Sequence, residues 1–193
     1  MSKPVARRRK PAQMVRLNIG SGAWPLETWV NVEQDSNLPA ELHAIVPPIP
    51  YADETVDEIY AGHFLEHLKH PIAAEFLREC YRVLRPGGRV GIVVPDTRTI
   101  MAEYLKQSRI AVEWPYGQLR AVADLDEVCG LFLYSTLQDS PHRWSYDENT
   151  LSRALELAGF EVKSRIDRMN DPRLGSGQWY QFGLDSIKPG ASK

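Results

Sequence analysis

The stretch Arg82-Val83-Leu84-Arg85-Pro86-Gly87-Gly88-Arg89-Val90-Gly91-Ile92-Val93-Val94-Pro95-Asp96 decides the fold. Its Pro-Gly-Gly centre stops the element before it, and the apolar run Val90 to Val94 follows. Such a run reads as a strand buried on both faces, as in a parallel sheet between helix layers. Upstream, Ile72, Ala73, Phe76, Leu77, Cys80, Val83 and Leu84 recur at three- and four-residue steps, which makes one apolar helix stripe. Pro71 suits a first helical turn. Arg82 and Arg85 suit the negative pole of the helix dipole. Helix, turn and buried strand are half of a βαβ unit.

The rest of the chain extends this pattern in both directions. Val15-Arg16-Leu17-Asn18-Ile19 alternates apolar and polar and meets Gly20-Ser21-Gly22, a strand released by a glycine turn. Trp29 to Val32 alternates likewise and ends at Glu33. Leu42 to Val46 is a short third strand stopped by Pro47-Pro48, and Val56 to Tyr60 a fourth that opens at Ala61-Gly62-His63. Further on, Ile100, Met101, Tyr104 and Leu105 mark a short helix, and Leu119 to Leu133 can hold another. Ser145 to Asn149 offers N-cap residues for a helix with Leu151, Ala154, Leu155 and Ala158 on one face, closed by Gly159. A strand from Phe160, a turn-rich loop over 170–177 and a strand over Trp179 to Leu184 complete the reading. Strands alternating with helices predict an α/β, Rossmann-like, doubly wound and mostly parallel sheet with an antiparallel C-terminal edge. The expected organisation is a flexible basic arm over 1–13, one domain over 14–187 with an acceptor-side insertion over 97–141, and a tail over 188–193.

Composition narrows the class. The chain has 193 residues, 43% hydrophobic and 25% charged, ordinary for one soluble globular domain. No apolar stretch approaches the ~18 residues of a membrane span. Cys80 and Cys129 make neither a disulfide framework nor a zinc site, so a reducing cytoplasm is expected and no metal site is. Residues 1–10 hold Lys3, Arg7, Arg8, Arg9 and Lys10, while the rest carries 18 basic and 25 acidic side chains. An acidic body repels a phosphate backbone, which argues against duplex nucleic acid as a partner.

In a doubly wound sheet, ligands sit outside the carboxyl ends of the strands. Gly20 and Gly22 let backbone approach a ligand there. Glu33, ending the next strand, can accept ribose hydroxyls. A dinucleotide fingerprint needs a third glycine three residues after Gly22 and an acid roughly twenty residues on. Position 25 is Pro, and only eleven residues separate Gly22 from Glu33. The pyrophosphate-binding helix has no room, which points to a nucleoside without a pyrophosphate. No Walker lysine motif is present either.

With these residues in view, the chain resembles the class I S-adenosylmethionine-dependent methyltransferases, in particular small predicted methyltransferases with a shortened first helix. The resemblance is carried by Leu17-Asn18-Ile19-Gly20-Ser21-Gly22, Trp29-Val30-Asn31-Val32-Glu33, Ile49-Pro50-Tyr51-Ala52-Asp53-Glu54-Thr55-Val56-Asp57-Glu58-Ile59-Tyr60, His63-Phe64-Leu65-Glu66-His67-Leu68, Arg82 to Gly88 and Leu155 to Phe160. It covers residues 15–96 well, 142–187 loosely and 97–141 hardly at all. It implies a seven-stranded sheet with a final β-hairpin and S-adenosyl-L-methionine bound over the first two strands. The implied cofactor-binding residues are Asn18, Gly20, Ser21, Gly22, Glu33, Ile45, His63 and Phe64. Family members often carry an Asp after the third strand for the adenine amine. Here Ala44 stands at that position, which leaves the adenine to backbone groups or to Asp53.

The resemblance also implies an acceptor held for in-line displacement, with Glu66 and His67 on the rim between cofactor and acceptor. A hydroxyl acceptor must lose a proton, and histidine is the natural base near neutral pH. His67 and His142, with Glu66, are the candidate catalytic residues. Trp24, Trp29, Trp114, Tyr116 and Trp144 could build an aromatic pocket. The expected activity is methyl transfer to a small hydroxylated acceptor such as a sugar. The alternatives are a degenerate S-adenosylmethionine-binding module and a nucleic-acid methyltransferase that uses the basic arm. The methylated atom and the oligomeric state stay open at this point.

Overall fold

The computed structural model describes residues 14–106, 142–166 and 180–190. The helix expected over Leu119 to Leu133, the loop over 170–177 and the arm over 1–13 lie outside the described residues. The strands are β1 (Arg16–Ile19), β2 (Val30–Glu33), β3 (Leu42–His43), β4 (Val56–Gly62), β5 (Leu84–Pro95), β6 (Glu161–Arg165) and β7 (Gln181–Ile187). The helices are α1 (His70–Val83), α2 (Thr97–Leu105) and α3 (Glu148–Leu157), with a single 3-10 turn at Leu65–His67. The strands form one sheet in the order β3-β2-β1-β4-β5-β7-β6. β1 to β5 pair in parallel, and β7 pairs antiparallel with both β5 and β6. This is the doubly wound sheet with an antiparallel edge that the sequence predicts. The strand order reverses between β1 and β4, so the ends of β1, β2 and β4 border the expected ligand crevice.

Burial explains the elements. Ile92, Val93 and Val94 of β5 are wholly enclosed, with Leu17, Ile19 and Ile59 beside them. The α1 stripe buries Ala73, Phe76, Leu77, Cys80 and Val83. Ile72 departs from the expectation and is exposed; it lies in the first turn of α1, at the end of the stripe. Leu84 departs too: it opens β5 opposite Val56, before a register shift that lets the Pro86-Gly87-Gly88 segment loop out. α3 starts at Asp147, whose carboxylate accepts the Thr150 N–H (2.8 Å) while the Thr150 hydroxyl accepts the Asp147 N–H (2.9 Å), a reciprocal cap.

Two further differences bear on the chain's ends. The third strand is two residues, not five, since Ala44 to Val46 leave the sheet. Lys188 is no loose tail. It is buried, its N–H donates to Gly88 O (2.9 Å), and its ammonium donates to Leu84 O (2.8 Å) and Glu54 (3.2 Å).

Between β1 and β2 residues 20–29 run without a helix. A buried amide pair supports this stretch instead. Asn18 and Asn31 face each other across the two strands. Asn18 Nδ2 donates to Asn31 Oδ1 (2.8 Å), which also accepts the Leu26 N–H (2.8 Å). Asn31 Nδ2 donates to Glu41 (2.8 Å), which also accepts the Asn31 N–H (2.7 Å). Those two hydrogen bonds from Asn31 hold the Glu41 pKa below the usual carboxylate value.

Asn31→Ala leaves buried donors unmet, at ~1–3 kcal/mol each. We expect a loss of about 2–4 kcal/mol in denaturant unfolding with an unchanged m value. A carboxylate with a lowered folded pKa adds stability above its unfolded pKa and loses it as pH falls through the folded one. Glu41→Gln is therefore expected to flatten, without abolishing, the decline of stability below pH ~4.5.

Candidate active site

The glycine turn sits at the carboxyl end of β1. Gly20 and Gly22 have φ of 66° and 56°, the left-handed region that disfavours side chains. A Cβ on Gly20 would lie 2.4 Å from Phe64 Cδ2, whereas a Cβ on Gly22 would meet nothing within 4 Å. One glycine thus lets the turn close on Phe64, and the other leaves backbone open to a ligand. The Gly20 and Ser21 N–H groups donate to Val32 O (2.8 and 3.2 Å). Glu33 lies across the turn: Oε2 accepts the Gly22 N–H (2.9 Å), and Oε1 accepts those of Gln34 and Asp35 (2.8 and 3.1 Å). A carboxylate has about four lone-pair sites, so this one is fixed in place with one acceptor position left for a hydroxyl. The open backbone at Gly22, the fixed acid and the missing helix suit a nucleoside without a pyrophosphate.

The other expected cofactor residues are placed differently. Asn18 is 0% exposed and supports the turn from beneath through Asn31. Ser21 is buried with no hydrogen-bond partner for its hydroxyl. Phe64 covers Gly20 and packs on Phe76 at 5.0 Å between ring centroids. Ile45 is 76% exposed just beyond β3, while Ala44 packs on the core. Asp53 does not serve the adenine. It pairs with Arg82 (2.6 Å) near the C-terminal end of α1, ahead of β4 and at the opposite end of the sheet from the glycine turn.

Just past β4 the chain builds a second group. His63 (φ 51°) donates its backbone N–H to Val93 O (2.9 Å). Its ring bridges Glu66 Oε1 (3.0 Å) and Gln181 Oε1 (2.5 Å). Glu66 is 1% exposed and its Oε2 has no hydrogen-bond partner. The Glu66 carbonyl accepts the N–H groups of Arg143 (2.6 Å) and Trp144 (3.2 Å). Those two bonds bring His142 onto the 3-10 turn, where its ring meets His67 edge-on at 4.8 Å. Glu66, His67 and His142 each present a ligating atom within 4.8 Å of the others. The sequence named all three without placing them together.

Electrostatics set their protonation. Burial alone would raise the Glu66 carboxyl, but the His63 hydrogen bond and the three imidazoles outweigh it and hold it below the usual carboxylate value. Burial pulls the His142 imidazole down to about 4, against the attraction of Glu66. At neutral pH the cluster therefore holds a carboxylate and a neutral His142 ring. Tyr146 stays a protonated phenol, raised by burial and by the Glu66 charge.

The expected aromatic pocket does not assemble from its described members. Trp29 packs against the cluster of Leu26, Tyr60 and Val93, with the Arg16 guanidinium 5.1 Å from its ring centroid. Trp144 lies against His70 at 4.5 Å, in a separate apolar groove of about 360 Å³ between α1 and α3. Trp114 and Tyr116 fall outside the described residues. Sequence reasoning missed Asn31 and Gln181. Asn18 and Asn31 carry a faint signal, each a lone amide between two aliphatic strand residues.

Residues 26–92 match the family described as methyltransferase domain. Over those residues, about a third of its length, the chain is similar to that family. A methyltransferase domain of this kind implies S-adenosylmethionine as the cofactor. No curated protein matches the chain significantly. The chain superposes on an S-adenosylmethionine-dependent methyltransferase from Thermotoga maritima with TM-score 0.57 at 17% identity, over 90% of this chain and 82% of that one. An S-adenosylmethionine-dependent methyltransferase from Mesorhizobium loti gives 0.55 at 12% identity, over 91% of each chain. One from Archaeoglobus fulgidus gives 0.55 at 16%, over 92% of this chain and 87% of that one. These likenesses establish the shared fold.

Ligand binding to the methyltransferase should register in thermal unfolding. At a hundred times its dissociation constant a ligand adds ~2.7 kcal/mol, which raises Tm by roughly 5–11 °C. We expect that rise with S-adenosylhomocysteine and none with NAD. Gly20→Ala should lower Tm and remove the rise, since its Cβ displaces Phe64. Glu33→Ala should weaken S-adenosylhomocysteine by at least about tenfold, or ~1.4 kcal/mol.

Proposed function

We propose that the methyltransferase acts on a small hydroxylated acceptor, a sugar or related polyol, held against Glu66, His67 and His142. The observation that carries this reading is the gathering of those three groups on the rim that Phe64 joins to the glycine turn. Gly20, Gly22 and Glu33 hold the nucleoside, and the exposed Ile45 side chain offers an apolar face to its adenine in place of an acidic partner. S-adenosylmethionine supplies an electrophilic methyl group on a sulfonium. The chain's own task is to position the acceptor and receive its proton. Fixing two reactants in near-attack geometry is worth ~7–11 kcal/mol of barrier. Removal of the hydroxyl proton by a placed base adds ~10²–10⁴-fold. His67 is the exposed member of the cluster and the nearer to solvent. The acidic charge balance beyond residue 10 favours a small acceptor over duplex nucleic acid, and two cysteines in the whole chain suit a reducing cytoplasm.

A second reading, binding without turnover, is favoured by Ala44 and by the engagement of Asp53 elsewhere. The experiment that separates them is transfer of a labelled methyl group across a panel of sugars, polyols and phenols. Transfer to a hydroxyl compound, with His67→Ala lowering kcat/KM by ~10²-fold or more and leaving S-adenosylhomocysteine affinity intact, supports the enzyme. Tight S-adenosylhomocysteine binding with no labelled product across the panel supports the binding module.

A further inference from the structure

We propose that Glu66, His67 and His142 form a seat for one divalent first-row transition ion on the acceptor rim. The inference rests on reading this rim as the acceptor side, and it departs from the sequence expectation of no metal. The carboxylate and the two imidazoles come from two segments that the Glu66 carbonyl ties together through Arg143 and Trp144. Glu66 is enclosed, and its Oε1 is engaged by His63. Among the described residues Oε2 is a buried acceptor with no hydrogen-bond partner, a costly state for a carboxylate oxygen that a cation relieves. His63, itself anchored on Gln181, orients the carboxylate from behind, the outer support that metal ligands commonly have.

The present separations, up to 4.8 Å, are wider than the roughly 3–3.5 Å between two atoms bound at ~2.0–2.1 Å to one ion. His67 is exposed and His142 half-buried, and the seat requires both rings to turn toward a fixed Glu66. Two imidazoles with one carboxylate favour transition ions over magnesium or calcium, which prefer all-oxygen shells. Three protein ligands leave coordination positions open, as catalytic sites do. With the ion bound, His67 and His142 serve as its ligands and not as the base. An acceptor oxygen filling an open position would be held in place and made acidic enough to lose its proton to water. The acceptor class narrows to compounds that offer an oxygen donor beside the methylated position.

The test is calorimetric titration of the chelator-stripped full chain with Co2+, Zn2+ and Mg2+, with visible spectra recorded for Co2+. We expect one Co2+ or Zn2+ per chain, nitrogen-ligand bands in the Co2+ spectrum and much weaker Mg2+. His67→Ala and His142→Ala should each cost at least about tenfold in affinity, and His70→Ala, outside the cluster, should bind as the parent. His67 is exposed, so its variant keeps the test valid if Glu66→Gln fails to fold. No bound ion at millimolar concentration, or unchanged affinity in both histidine variants, overturns the seat. S-adenosylhomocysteine titrations on the same samples separate the readings. Nucleoside binding without ion binding removes the seat alone. Ion binding without transfer to any hydroxyl acceptor removes the acceptor reading alone.

Discussion

The first crevice of this sheet is shaped by a shortage of chain. Eleven residues separate Gly22 from Glu33, and a strand must be completed within them, so no helix covers β1 and β2 there. The backbone polar groups that a helix would satisfy must find other partners. The Asn18–Asn31 amide pair provides them: Asn31 accepts the Leu26 N–H, donates to Glu41 and receives Asn18. The glycine turn rests on this arrangement, Phe64 closes on the turn, and Glu33 is fixed by the Gly22 N–H. The cofactor end of the crevice is thus held by side-chain amides instead of by a helix terminus.

The rim past β4 is assembled by a different device. The 3-10 turn after β4 exposes one carbonyl, and two N–H groups from the segment before α3 converge on it. Tyr146 then runs beside Asp96 as an isolated parallel bridge. These backbone bonds place His142 beside the His67 ring. The carboxylate of Glu66 is charged, enclosed and half-engaged, so its field acts on every imidazole around it.

Much of the fold was legible because its signals are local. Alternation marked β1 and β2, a continuous aliphatic run marked β5, and a three-four stripe marked α1. Differences arose where pairing partners decide. Leu84 reads as the end of a helix stripe but joins β5 because Val56 lies opposite. Lys188 reads as tail, yet its ammonium finds the Leu84 carbonyl and the Tyr81 ring. In the site, the glycine turn and Glu33 were readable from spacing. The meeting of His67 with His142 was not, since it is made by hydrogen bonds between segments far apart in sequence, and no periodicity encodes them.

The sheet order has a consequence for how the chain comes into being. β7 is the last strand in sequence but lies between β5 and β6. While the polypeptide is being synthesised, β5 is complete long before the strand that covers its outer edge. During that interval Val90 to Val94 presents open amides and carbonyls beside wholly aliphatic side chains, a template for pairing with another nascent chain. Slow translation through residues 96–180 would therefore lengthen the interval in which that edge is open to another chain.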